Sequence, residues 1–167
     1  MMLVCSWAGV LAFCDFRWRT LPNYLTIGGA GVALLARWWL GGGSGVVSGL
    51  AAGSVAGAFL LVPFLMRGAG GGDVKMLFAA GAMVGWSRLL LLLWYMSLAG
   101  LVLVIVMLAF KQVEGARLKH YARCLVDWRY DRQTGAIALP PKDSAKMRVP
   151  FSIAISVGLV LAMLVKP

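Results

Sequence analysis

The chain has 167 residues, of which 61% are hydrophobic and only 13% are charged, and its mean hydropathy is +0.85. This composition excludes an ordinary soluble domain, in which about 25% of residues are charged, and it predicts a protein whose solvent is lipid. The net charge of +10 could suit nucleic acid, but no binding fold or aromatic-basic module accompanies it. We therefore expect no nucleic-acid partner, and an attraction to anionic lipids instead.

Six apolar runs predict six membrane-spanning helices, because a spanning helix needs about 20 apolar residues, or fewer where flanking side chains reach the interface. The runs are 1–14, 24–40, 46–66, 76–86, 89–110 and 149–165. The first and fourth are short, but Asp15 and Asp73 border them and extend the embedded helices. The predicted fold is all-α, a polytopic membrane helical bundle of about six transmembrane helices.

The first run, 1–14, lacks the basic region and the small-residue cleavage site of a secretory signal, so we expect a retained helix. Glycines dominate 41–45, which predicts a flexible turn between the second and third spans. Gly49, Gly53 and Gly57 then stand four residues apart, and such a small-residue face lets helix backbones approach closely. Packing within the chain is favoured over dimerisation.

Cysteine usage gives no sign of a metal centre or a disulfide framework. The three cysteines, Cys5, Cys14 and Cys124, form no CxxC pair, and two of them lie in apolar runs. Lone His120 has no partner at a suitable spacing. We predict no metal and no cofactor.

Basic residues are unevenly divided between the two sets of loops that alternate between six spans. One set contains Arg17, Arg19, Arg67, Lys75 and all the basic residues of 111–148, whereas the other contains only Arg37, Arg88 and Lys166. The positive-inside rule places the first set in the cytoplasm and both termini outside.

Three regions follow from this topology. Residues 1–110 form transmembrane helices 1–5 with both aspartates, 111–148 form a basic cytoplasmic loop, and 149–167 form transmembrane helix 6. Within the loop, the apolar spacing of 113–130 suits a helix along the membrane interface, and 131–148 contains turn signals and a proline pair typical of extended chain.

Only two of the six acidic residues, Asp15 and Asp73, border the spans. The first helix runs inward and reaches Asp15, and the fourth starts at Asp73, so both carboxyls are expected at one depth on the cytoplasmic face. An ionisable group there costs free energy and indicates function. The structural alternative is that Asp73, after the glycine-rich stretch 68–72, only caps its helix, and that Asp15 only pairs with Arg17 or Arg19.

Two carboxyls that meet in a partly desolvated site would share one proton, which is the chemistry of an aspartic protease. One carboxylate, acting as general base, would take a proton from a water that attacks the scissile carbonyl. The protonated partner would hydrogen-bond that carbonyl and later help to protonate the leaving amine.

Two segments resemble the signatures of the type 4 prepilin peptidase family, the GxGD membrane aspartic proteases of bacteria. Residues 15–23, DFRWRTLPN, are similar to D-x-R-x-x-x-[IL]-P-N, and residues 70–75, GGGDVK, are similar to G-x-G-D-x-K. A weaker match, VPF, lies at 149–151.

The resemblance implies that Asp15 and Asp73 are the catalytic pair. It also implies an active-site loop with Gly70, Gly72 and Lys75, and motif-supporting roles for Arg17, Pro22, Asn23 and Pro150. We expect Pro22 and Asn23 to shape the entry to the second helix. Lys75 is expected to point away from Asp73 and to reach the membrane interface.

The implied substrate is a prepilin or pilin-like precursor, cleaved at the cytoplasmic face of the bacterial inner membrane just before its hydrophobic helix. Larger family members carry an N-terminal domain with CxxC pairs and also methylate the new N-terminus. Only residues 1–14 precede Asp15 here, so the resemblance implies a peptidase-only form like those of tight-adherence (Flp) pili. Archaeal preflagellin peptidases share the GxGD chemistry and remain an alternative. The presenilin and signal-peptide-peptidase branch has a tyrosine where this chain has Cys14.

Two other classes of function use the same aspartates differently. A small transporter or channel would bind a cation or relay protons with them, but such proteins place polar residues at mid-membrane, whereas these carboxyls are predicted at one face. A non-catalytic assembly factor would tolerate the loss of either carboxyl.

Overall fold

The computed structural model describes residues 2–18, 20–65, 69–109 and 151–165, and every regular element in these ranges is helical. The helices are α1 (Met2–Trp18), α2 (Asn23–Leu65), α3 (Gly71–Val84), α4 (Leu89–Ala109) and α5 (Phe151–Leu164), with a single 3-10 turn at Trp86–Arg88 before α4. The prediction of an all-helical fold is therefore confirmed for the described ranges. The predictions for 111–148 and the candidate site residue Pro150 lie outside them.

The outer surfaces of these helices are suited to lipid. Asn23–Leu65 and Trp86–Met107 are long and apolar enough to cross a membrane. In Trp86–Met107, only 22% of the most apolar stretch of the helix is buried, whereas the core helix of a soluble protein would be mostly buried. Trp39, Leu40 and Leu90 are almost fully exposed, and soluble monomers rarely expose apolar surface on this scale. The two long apolar helices and the exposed apolar side chains indicate a membrane protein.

Helix α2 is a hairpin of two antiparallel segments rather than one rod. At about 1.5 Å per residue, its 43 residues would span about twice the hydrocarbon thickness of a bilayer. The backbone leaves the helical region at Gly42, with φ 57° and ψ −147°, a conformation that favours glycine. Beyond it the chain returns, so that Ala30 and Gly57 line the same cavity of about 470 Å³. The reversal lies within the segment 41–45 for which a turn was predicted, and Gly42 is the residue of that segment that leaves the helical conformation.

The small-residue face of the second α2 segment packs against α3. A Cβ atom added at Gly53 would lie 2.9 Å from the carbonyl oxygen of Phe78, and one added at Gly81 would lie 2.7 Å from that of Ala52. Contacts this close require glycine on both helices. The prediction of packing within the chain is confirmed.

Two arginines cap helix C-termini at the end of the bundle that contains Gly42, which we call the Gly42 end. The Arg37 Nη2 atom donates to the Met83 carbonyl at 3.0 Å, in the last turn of α3, and the Arg88 Nη1 atom lies 3.4 Å from the Met163 carbonyl, in the last turn of α5. Cations are favoured at this end of a helix, where the last carbonyls lack partners. These two contacts give a physical reason for Arg37 and Arg88 to lie in the set of loops that contains few basic residues.

We expect Arg37→Met to lower the apparent thermal midpoint in detergent, because it removes a charged donor to a helix C-terminus, worth about 1–2 kcal/mol. Arg37→Lys keeps the charge and should lose less. A midpoint for Arg37→Met equal to that of the parent protein would contradict the capping role.

Helix α5 joins the bundle from a distant part of the sequence and packs between α1 and α4. A Cβ atom added at Gly158 would lie 2.7 Å from the backbone nitrogen of Met96 on α4, so these two helices are in close contact. Ile155 and Leu159 are fully buried in one core with Leu11 of α1 and Leu77 of α3. Helix α5 therefore contacts both helices that carry the aspartates.

Candidate active site

Asp15 and Asp73 are buried at the same end of the bundle, which we call the aspartate end. Asp15 is 8% exposed and lies in the last turns of α1, and Asp73 is 6% exposed and lies in the first turn of α3. At this end, both helices extend beyond the apolar runs 1–14 and 76–86, so each aspartate lies inside its helix. Hydropathy marks where apolar residues stop, whereas the helix continues as long as its backbone hydrogen bonds are satisfied.

Asp73 caps the helix that carries it. The backbone N–H of Gly70 donates to Asp73 Oδ2 at 3.0 Å, which is the contact that an acidic residue at the third helical position makes with the N-cap. The helix-capping role that the sequence offered for Asp73 is therefore present in the structure. It also holds one carboxylate oxygen in place and so orients the whole group, which is compatible with a chemical role.

Asp15 accepts a hydrogen bond from α5. The Ser152 hydroxyl donates to Asp15 Oδ2 at 2.5 Å, and Ser152 is itself fully buried. Arg17 is exposed, and within the described part of the chain it forms no ion pair with Asp15. The pairing alternative for Arg17 was therefore wrong, and Arg19 lies outside the described residues.

Sequence reasoning missed Ser152, although a signal was present. Ser152 and Ser156 are four residues apart in an otherwise apolar helix, so they share one face. A hydroxyl pair with helical spacing in a membrane span predicts hydrogen bonds to a neighbouring helix.

The two motif segments touch each other at the aspartate end. A Cβ atom added at Gly72 would lie 2.8 Å from the Cβ atom of Leu21, so only a glycine lets the connection between α1 and α2 lie against the start of α3. The ammonium of Lys75 donates to Asn23 Oδ1 at 2.8 Å. Lys75 is exposed, and its bond to Asn23 was not foreseen.

The remaining motif residues shape the backbone. The Pro22 carbonyl accepts the first N–H bonds of α2, from Leu25 at 3.1 Å and Thr26 at 3.3 Å, which confirms that Pro22 and Asn23 form the entry to that helix. Gly70 is the N-cap of α3, and a Cβ atom there would lie 3.3 Å from Asp73 Oδ2.

The arrangement favours acid–base chemistry by carboxyl groups. Among the described residues, no three His, Cys, Asp or Glu side chains are grouped so that they could hold a metal ion. Two buried carboxyls at one end of the bundle, each with one oxygen held by a hydrogen bond, can take and return protons.

A sequence model of the type IV leader peptidase family matches residues 2–105. The match covers more than half of the chain and includes both aspartates and the residues that connect their motifs. No curated protein and no solved structure gives a significant match.

Proposed function

The chain belongs to the type IV leader peptidase family, and we propose that it is an aspartic endopeptidase that removes the leader from prepilin or pilin-like precursors. The observation that carries the proposal is the burial of Asp15 and Asp73 at one end of the bundle, where their two motif segments are in contact. Burial in a helical membrane bundle is costly for a carboxyl group, and two such groups at one end indicate a shared task.

Hydrolysis would follow from a single proton shared by the pair. One carboxylate takes a proton from water as the water oxygen bonds to the scissile carbonyl carbon. The protonated partner hydrogen-bonds the carbonyl oxygen and passes its proton to the leaving amine as the peptide C–N bond breaks. The pair has then gained one proton from water and given one to the amine, so it again holds a single proton when the products leave.

The proposed orientation places the aspartate end in the cytoplasm, in a bundle of six spans in which the α2 hairpin provides two. The distribution of basic residues supports it. The exceptions Arg37 and Arg88 do not count against it, because each has a local role at a helix C-terminus. In this orientation the leader of a precursor would lie in the cytoplasm with its hydrophobic helix in the bilayer beside the enzyme.

The test is co-expression of the full chain with a prepilin-like precursor encoded by a neighbouring gene, scored by gel shift. We expect a shortened product, with N-terminal sequencing placing the cut just before the hydrophobic helix. Cells without the enzyme provide the control. An unprocessed precursor in cells whose membranes contain the enzyme would contradict the proposal.

We expect Lys75→Ala and Asn23→Ala each to slow leader removal by less than about tenfold, because an exposed charged hydrogen bond contributes about 1 kcal/mol or less. The double variant should be no slower than the slower single variant, since both changes remove one contact. Rate losses that multiply would show that the two residues act independently.

A further inference from the structure

We infer that Ser152 is a positioning residue for Asp15: its hydroxyl holds Oδ2 of the carboxyl and leaves Oδ1 to take the proton from the attacking water. This inference rests on the proposed peptidase function. It assigns a role in the reaction to α5, a helix that lies beyond the matched range 2–105.

The contact joins two buried groups from opposite ends of the chain. Ser152 is 0% exposed and Asp15 is 8% exposed, and the donor and acceptor are 137 residues apart in sequence. A buried hydroxyl and a buried carboxyl are each costly without a hydrogen-bond partner, and here each provides one for the other. A hydrogen bond to an ionised carboxylate is also stronger than one between neutral groups.

The bond distinguishes the two oxygens of Asp15. Because Oδ2 accepts the hydrogen bond from Ser152, Oδ1 is the more basic oxygen, and a water would transfer its proton to Oδ1 while the water oxygen bonds to the carbonyl carbon. The Ser152 bond to Oδ2 is retained during that step, so the carboxyl does not rotate away from the reacting water. Orientation of this kind contributes directly to rate, since small displacements of a catalytic group are costly.

Ser156 provides a matched control one helical turn away. It is also a buried serine of α5, and its hydroxyl lies 3.0 Å from the Ala8 carbonyl and 2.8 Å from the Ser152 carbonyl. Its hydrogen bonds are to backbone carbonyls and not to Asp15. Replacing it by alanine therefore removes a buried hydroxyl from the same face of α5 and leaves the Asp15 contact in place.

The experiment measures kcat and KM for cleavage of a prepilin-like precursor by the full-length protein in detergent, for the parent and for Ser152→Ala, Ser152→Cys, Ser156→Ala and Asp15→Asn. We expect Ser152→Ala to lower kcat about 10- to 100-fold, with KM changed by less than about twofold, as for loss of a hydrogen bond to a charged group. Ser152→Cys keeps the side-chain size but has only a weak S–H donor, so it should lower kcat by about tenfold. Ser156→Ala should stay within about threefold of the parent.

Values of kcat for both Ser152 variants equal to that of Ser156→Ala, with Asp15→Asn inactive, would overturn the inference and leave the peptidase proposal standing. Failure of both Ser152 variants to accumulate, with Ser156→Ala intact, would also overturn it, because Ser152 would then be needed for packing. Full cleavage by Asp15→Asn would instead refute the proposed function itself.

Discussion

Asp15→Asn and Asp73→Asn are each expected to abolish leader removal while the protein still accumulates in the membrane. An asparagine side chain keeps the shape and one oxygen acceptor of aspartate, so Asn at position 15 can still accept from Ser152 and Asn at position 73 can still accept from Gly70. Neither can exchange the proton that hydrolysis requires. We expect a loss of about 100- to 10,000-fold in rate, measured as the fraction of precursor processed with time.

The choice of asparagine separates catalysis from capping. If Asp73 only capped α3, Asp73→Asn would preserve both the cap and the activity. Near-normal cleavage by this variant would therefore contradict a catalytic role for Asp73. Cys14→Ala is a suitable control for α1, because Cys14 is a partly buried neighbour of Asp15 without a carboxyl group. It should process the precursor at close to the normal rate.

The location of the two aspartates at one end of the bundle could be predicted from the sequence, because it follows from the alternation of helix direction. That argument needs only the number of apolar runs between Asp15 and Asp73, and it survives errors at the helix ends. The helices were predicted to extend to the aspartates, and α1 continues past Asp15 to Trp18 while α3 begins before Asp73 at Gly71, yet the two carboxyls still lie at the same end.

The partners of the aspartates could not be predicted in the same way. Whether Ser152 faces Asp15 depends on the rotation of α5 about its own axis and on its depth beside α1, and the packing of the five described helices sets both. Local periodicity determines that a helix forms and which residues share a face, but not which distant residue that face meets. The Lys75–Asn23 bond, between residues 52 apart in sequence, was missed for the same reason.

Gly72→Ala is expected to lower the rate of leader removal about 10- to 100-fold, because the added methyl group would lie 2.8 Å from the Leu21 Cβ atom. Carbon atoms pack best at about 3.5–4.0 Å, so the connection after α1 must move away from the start of α3. That movement would shift the segment that follows Asp15 relative to Asp73. The neighbouring Gly71→Ala is the matched control, since its methyl group would meet the Phe64 ring at 3.4 Å, an ordinary contact.

Both glycines lie in the first turn of α3, so alanine gives each variant a comparable gain in helix propensity, of up to about 1 kcal/mol, and the comparison isolates the contact with Leu21.

The contact between Gly72 and Leu21 also predicts that a second substitution restores activity. Leu21→Gly removes the Cβ atom that an alanine at position 72 would strike, so the double variant should cleave faster than Gly72→Ala alone, with Leu21→Gly measured separately as its reference. Equal activity of Gly72→Ala and Gly71→Ala would show that the close approach of the two motif segments is not needed. The three glycines thus differ in their surroundings, because Gly70 caps α3, a Cβ atom at Gly71 would make only an ordinary contact, and one at Gly72 would strike Leu21.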